Sequence, residues 1–241
     1  MTTRGYDRLV VEDPFAPSLA THPGWRTLAA AAGLDERELR SRCVRRKFRR
    51  GEVIFHEGDP AGSMHLVEIG HVAIKLTTPL GEIGLLDIFQ PGDTFGEQSL
   101  VDGVGVRTAT TVALERVETL ALDNRSFSEL RDSHPDVDRF LLMVVGARLQ
   151  TTSGRLLEAL YLPAEVRVLR CVERLRDMFA PDQATSIPLT QNDVAEMAGV
   201  TRSTANRLLR HAQEEGFIRI SRAHIDVLDI GVLRRKARLK P

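Results

Sequence analysis

The residues best suited to chemistry lie in two short stretches. In the first, Phe95-Gly96-Glu97-Gln98-Ser99 is followed shortly by Val106-Arg107-Thr108-Ala109. Gly96 lets backbone approach a ligand with no Cβ in the way. Thr108 offers a hydroxyl, and Arg107 offers a planar fork of donors that matches phosphate oxygens. Glu97 would repel a phosphate, so its chemistry is to accept from a sugar hydroxyl while a nearby cation balances its charge. Together these residue types fit a nucleotide carrying few phosphates. They fit equally a tight turn between strands that leaves an arginine on the surface.

The second stretch runs from Thr190 to Arg210. Thr190 and Asp193 have the spacing of a capping box that opens a helix ending at Gly199, and Thr201 caps the next one. Two short helices joined through Ala198-Gly199-Val200 make a helix-turn-helix. The second helix turns Arg202, Ser203, Asn206, Arg207 and Arg210 to its polar side and buries Ala205, Leu208 and Leu209. From Arg202 to Arg210 there are three arginines and no acid, in a chain of zero formal net charge. Affinity for nucleic acid must therefore come from local charge of this kind rather than from bulk basicity.

Cys43 and Cys171 are the only cysteines, which fits neither a disulfide framework nor a cysteine-rich metal site. Both are expected as reduced thiols. The seven histidines, among them His56, His65 and His71, lack a helical His-x-x-x-His spacing. Satisfied or exposed side chains are expected, and no metal.

Elements must hold these groups in place. The 241 residues, 42% hydrophobic and 27% charged, suffice for two domains with cores of their own. No apolar run is long enough to span a bilayer, so a cytoplasmic location without membrane contact is expected. Residues 1–25, with Pro14, Pro17 and Pro23, read as an irregular arm. A short helix or two follows over Leu28 to Cys43, with Asp35 as an N-cap. From Cys43 to Leu122 short apolar or alternating segments are broken by glycine turns, the pattern of an antiparallel barrel or jelly roll. The basic run Arg45, Arg46, Lys47, Arg49 and Arg50 reads as a solvated strand face, or else a partner contact.

Ser126 to Ser133 is a short helix, and Pro135 stands near the start of a long one reaching about Leu162. Leu142, Leu149 and Leu156 fall seven apart, as do Val145, Thr152 and Ala159. That heptad pattern reads as a dimerising helix, although a helix packed on its own barrel would also show an apolar stripe. Thr152 lies in the seam with Ser153 beside it. Hydroxyls from paired helices could reach a ligand in either barrel, or threonine is simply tolerated there. Arg148 could supply the cation that Glu97 needs. Pro163 breaks to a second domain: an amphipathic helix over Ala164 to Phe179, the helix-turn-helix, and a hairpin wing over Phe217 to Leu228. The basic tail, Arg234 to Lys240, has enough charge to touch a phosphate backbone.

In this order of parts the chain resembles the family of the cyclic AMP receptor protein, the CRP/FNR regulators of bacterial transcription. Two motifs carry the resemblance: Phe95-Gly96-Glu97 with Arg107-Thr108-Ala109, and Arg148-Leu149-Gln150-Thr151-Thr152-Ser153 in the long helix. It implies an α+β fold with a cyclic-nucleotide-binding β jelly-roll barrel over 26–134, a dimerisation helix over 135–163 and a C-terminal winged helix-turn-helix over 164–241. It also implies a homodimer that binds double-stranded DNA in response to cyclic AMP, with RNA polymerase as a further partner.

By the same resemblance Gly96, Arg107 and Thr108 would serve the cyclic phosphate and Glu97 the ribose 2′-hydroxyl, with Gln98 also in the nucleotide site. Arg148 would brace Glu97. Thr152 would bind the adenine amino group in its own subunit, and Ser153 would approach from the other. Hydroxyls at those two positions leave cyclic GMP open as well. Thr190, Gln191, Thr201, Arg202, Ser203, Asn206, Arg207 and Arg210 would face DNA.

An enzyme acting on cyclic nucleotides would need a metal cluster or general base near Arg107, and none is in the sequence. A cyclic-nucleotide module without DNA binding would lack the Thr190 to Arg210 unit. A member that binds DNA constitutively, or answers another effector, remains the nearest alternative. One departure stands out: the family usually places glutamate directly after the first arginine of the recognition helix, and here Ser203 follows Arg202. Serine is an ambiguous partner for a base, so one operator position should be read differently.

Overall fold

The computed structural model describes residues 23–79, 81, 83–98, 105–179 and 186–238. Residues 1–22, 80, 82, 99–104, 180–185 and 239–241, and with them most of the expected arm and the end of the basic tail, lie outside the described residues.

Two short helices lead in, α1 (Trp25–Ala31) and α2 (Glu36–Ser41), the second capped by Asp35, whose side chain accepts from Glu38 N at 2.7 Å. Eight strands follow: β1 (Val44–Phe48), β2 (Val53–Phe55), β3 (Ser63–Ile69), β4 (Val72–Thr77), β5 (Ile83–Phe89), β6 (Thr94–Phe95), β7 (Thr110–Ala113) and β8 (Val117–Asp123). They form two antiparallel four-stranded sheets, β1-β8-β3-β6 and β2-β7-β4-β5. The jelly-roll architecture follows from strands too short and too regularly interrupted for helical crossovers. β1 presents the basic run outward. Arg45 pairs with Glu68 at 2.8 Å and Glu118 at 3.1 Å, and Arg116 also reaches Glu118. Of the basic run, Arg45 and, at 3.7 Å from Glu118, Lys47 thus have acidic partners.

The barrel interior is filled by Val67, Val72, Phe89, Phe95, Ala113 and Val117. At one end α1 and α2 pack with α3 (Asn124–Ser133) and the start of α4 (Asp136–Tyr161), burying Trp25, Leu28, Leu39, Phe127, Leu130 and Phe140. Pro135 is the N-cap residue of α4, where its missing N–H removes nothing. α4 buries Val137, Phe140, Leu141 and Val144 in its first turns, and beyond them Glu158 is its one buried residue. No helix among the described residues is long and apolar enough to cross a membrane.

The C-terminal part comprises α5 (Ala164–Phe179), β9 (Ser186–Ile187), α6 (Gln191–Ala198), α7 (Arg202–Glu214), the hairpin β10 (Ile218–Ser221) and β11 (His224–Val227), and α8 (Ile230–Lys236). β9 pairs with β11, so the wing is a three-stranded sheet rather than a hairpin alone. Arg234 to Lys236 are the last turn of α8, where basic residues complement the helix dipole. Arg234 pairs with Glu173 at 3.1 Å and Asp177 at 3.3 Å, and Lys236 with Glu215 at 2.6 Å.

Strand alternation ties the two parts together. On β4, Val72 and Ile74 face the barrel interior while Ala73 faces outward, joining Leu85 and Ile88 of β5 in one core with Leu175, Val194 and Ala198. The barrel's outer wall is therefore part of the C-terminal hydrophobic core.

Candidate functional site

At residue 96 the chain leaves β6 with φ of 81°, a left-handed conformation that favours glycine. A Cβ there would lie 2.7 Å from Arg107 Nη1, so Gly96 also clears room for that side chain. Arg107 is held inward, 6% exposed. Its Nη1 donates to Ser63 O at 2.7 Å and to Gly96 O at 3.3 Å. Nη2 donates to Ser63 Oγ at 3.2 Å, and the guanidinium lies 4.0 Å over the Phe55 ring. Nε is buried with no hydrogen-bond partner. Burial pulls the Arg107 pKa down, while Asp59 and Glu97 act to raise it. An arginine with one orphaned buried donor is a group prepared for an anionic oxygen.

Glu97 is fully buried. Arg148, projecting from α4, meets it with two contacts, Nη1 at 2.6 Å from Oε1 and Nη2 at 3.0 Å from Oε2. Arg148 Nη2 also donates to Thr94 O at 2.6 Å, and its guanidinium sits 4.7 Å over Phe89. The cation sought for Glu97 is thus in place, and it comes from the long helix. Thr108 donates to Gln98 Oε1 at 2.5 Å. Phe55, Phe89, Phe95, Gly96, Gln98, Arg107, Thr108 and Arg148 all line one cavity of about 50 Å³.

Thr152 and Ser153 are exposed on α4 and are not among the residues lining that cavity. They share the outward side of the helix with Leu149 and Leu156, 66% and 57% exposed. Among the described residues no group of histidines, cysteines and carboxylates could hold a metal ion. Burial raises the thiol pKa of Cys43 to about 12 and of Cys171 to about 11, which leaves both as inert thiols.

At the other end of the molecule, Thr190 caps α6 in a full capping box. Its Oγ1 accepts from Asp193 N at 3.2 Å, and its N donates to Asp193 Oδ2 at 2.8 Å. Gly199 ends α6 at φ of 61°. Thr201 caps α7, accepting from Thr204 N at 3.2 Å and lying 3.0 Å from the Ser203 hydroxyl. Ser203 therefore shares its hydroxyl with the cap. Arg202, Arg207 and Arg210 are exposed and make no ion pair among the described residues. Thr190 and Thr201 are exposed as well, whereas Gln191 and Asn206 are half-buried. Ala205, Leu208 and Leu209 are buried, which fixes the roll of α7 and turns the arginines outward.

Sequence patterns did not point to Ser63 and Phe55 beneath Arg107, to the Arg155–Asp87 pair at 2.7 Å, or to Glu158 with Arg170 and Arg174. Each is a contact between distant segments that strand register or helix packing creates.

Comparison with known proteins agrees with this architecture. Residues 45–134 match the model of the cyclic nucleotide-binding domain, and residues 155–236 match that of the Crp-like helix-turn-helix domain. The chain is 30% identical over 193 residues to the cyclic AMP receptor protein of Thermus thermophilus, covering 80% of this chain and 88% of that protein. It is 29% identical over 195 residues to the CRP-like cAMP-activated global transcriptional regulator of Mycobacterium tuberculosis, covering 79% and 87%. Its fold is similar to that of the c-di-GMP responsive global regulator CLP of Xanthomonas campestris, with a TM-score of 0.69 at 21% identity, covering 80% and 97% of the two chains. With a cyclic nucleotide-binding domain and a Crp-like helix-turn-helix domain in one chain, this protein belongs to the CRP/FNR family of transcription regulators.

Proposed function

We propose that this protein is a homodimeric regulator that binds its operator DNA in response to cyclic AMP. The observation that carries the proposal is the Glu97–Arg148 pair, which fastens the phosphate cradle to the long helix. The residues present fit a cyclic nucleotide. Arg107 has a buried, unpartnered Nε–H for the phosphate, Gly96 and Thr108 stand beside it, and Gln98 holds the Thr108 hydroxyl. Glu97 would accept from the ribose 2′-hydroxyl. Thr152 and the partner subunit's Ser153 would close on the base.

One wall of the cavity is Arg148 of α4, so a ligand seated against it would bear on that side chain. Displacement there is felt along the helix that leads to the reader domain, so ligand and DNA affinities become linked. The dimer is supported by the uncovered stripe Leu142, Leu149 and Leu156, 73%, 66% and 57% exposed in the single chain. DNA would be met by the three exposed arginines of α7, with half-sites about one helical turn, ~34 Å, apart.

Calorimetry of the full chain with cyclic AMP and cyclic GMP tests the ligand. Saturable binding of cyclic AMP, weakened at least tenfold by Arg107→Ala, is expected from the loss of a charge-assisted phosphate contact. No heat with either nucleotide would refute it.

A further inference from the structure

Beneath Arg107 lies a run of polar side chains, Ser63 half-buried and His65 and Thr119 buried, that takes no part in the ligand contacts. We propose that Ser63 and His65 are positioning residues that hold the Arg107 guanidinium ready for a ligand phosphate, through a hydrogen-bonded run from Arg107 to Ser63, His65 and Thr119. This rests on Arg107 being the phosphate ligand.

The geometry is continuous. Arg107 Nη2 donates to Ser63 Oγ at 3.2 Å, Ser63 Oγ lies 3.1 Å from His65 Nε2, and His65 Nδ1 lies 3.1 Å from Thr119 Oγ1. Arginine can only donate, so the direction of the run is set from that end. Ser63 Oγ accepts from Arg107 and donates its O–H to His65 Nε2, and His65 Nδ1–H donates to Thr119 Oγ1. Ser63 and His65 then each accept on one side and donate on the other, the arrangement in which successive hydrogen bonds strengthen one another.

The imidazole is fixed by its surroundings. It is 6% exposed and stacks on Phe95 with ring centres 5.0 Å apart and 16° between planes. Burial, together with the Arg107 and Arg46 cations, lowers its pKa to about 3, so it is the neutral relay this polarity requires. Ser63 also gives its carbonyl to Arg107 Nη1 at 2.7 Å. One residue thus grips both terminal nitrogens, and Nε–H is buried without a hydrogen-bond partner. A long side chain fixed before binding loses less rotamer freedom when the ligand arrives.

The test combines calorimetry with NMR on the full-length protein. Ser63→Ala keeps the backbone acceptor, Ser63→Thr keeps the hydroxyl, and His65→Phe keeps the ring stack but not the relay. With cyclic AMP as probe, Ser63→Ala and His65→Phe are expected to weaken binding about tenfold, the scale of one lost hydrogen bond to a charged group, while Ser63→Thr recovers it. In an Arg107→Ala background Ser63→Ala should change affinity by less than about twofold, because the effect acts through Arg107. Equal losses in both backgrounds, or no loss in the native background, would overturn the proposal.

In the ligand-free protein the Arg107 Nε–H signal should be resolved in wild type and lost to exchange in Ser63→Ala and His65→Phe. An unchanged signal overturns the proposal whether or not any nucleotide binds. The expected NMR result in a protein that binds no cyclic nucleotide would instead remove the ligand assignment and leave the positioning of Arg107 standing.

Discussion

Glu97 is a carboxylate with no exposed surface, and its charge is tolerable there because Arg148 meets it with two contacts. His65 solves the opposite problem by staying neutral. Its folded pKa of about 3 lies below the ordinary value of 6.5, so on acidification the unfolded chain takes up a proton that the folded chain refuses. Stability from this group is fully present above pH 6.5 and is lost as pH falls from there toward 3. Between pH 7 and 5.5 the loss should be about 1 kcal/mol, and His65→Gln should abolish that increment. Urea unfolding of the two proteins at both pH values checks it. The difference between them isolates His65 from carboxylates that titrate in both. At this scale the cradle was legible because Gly96, Glu97, Arg107 and Thr108 sit close together in one stretch. Ser63 was not, because it meets Arg107 across 44 residues of sequence, through barrel closure.

The long helix α4 is where the elements meet. Arg155 reaches back to Asp87 on β5 at 2.7 Å, and one turn later Glu158 accepts from Arg174 at 2.8 and 3.0 Å and from Arg170 at 3.4 Å. Arg170 also donates to Ala237 O at 2.9 Å, so a single buried cluster links α4, α5 and the end of α8. Glu158→Gln removes the charge that two arginines share there. It should cost about 3 kcal/mol in unfolding free energy, the usual consequence of breaking one side of a buried pair. Denaturant titration reads this, and a cost near zero would show that the cluster does not join the helices. The same helix carries the outward stripe, so Leu149→Glu should give monomers by sedimentation equilibrium where wild type gives dimers. Heptad spacing made the stripe legible, because a period of seven can be read from sequence alone. The ionic cluster had no such signature. Glu158, Arg170 and Arg174 look like ordinary surface residues until α5 folds back on α4.

For the molecule as a whole, the consequential contact is that between barrel and reader domain. Ala73, Leu85 and Ile88 enter the same core as Leu175, Val194 and Ala198, and Lys75 lies 4.0 Å from both Asp193 and Glu196 on α6. The orientation of α6, and through it the arginines of α7, is thus set against the β4–β5 wall of the nucleotide-binding barrel. Strand alternation foretold that one face of β4 would be buried inside the barrel. It could not foretell that Ala73 on the other face would be covered by a different domain. The central claim is that occupancy of the cradle is read out at α7. The most direct measurement is the affinity of the full-length protein for a duplex selected from a random pool, by fluorescence anisotropy at fixed salt, with and without cyclic AMP. Cyclic AMP is expected to tighten wild-type binding at least tenfold, a coupling of about 1.4 kcal/mol, and to leave Arg107→Ala unchanged. Equal wild-type affinity in the presence and absence of the nucleotide would contradict it.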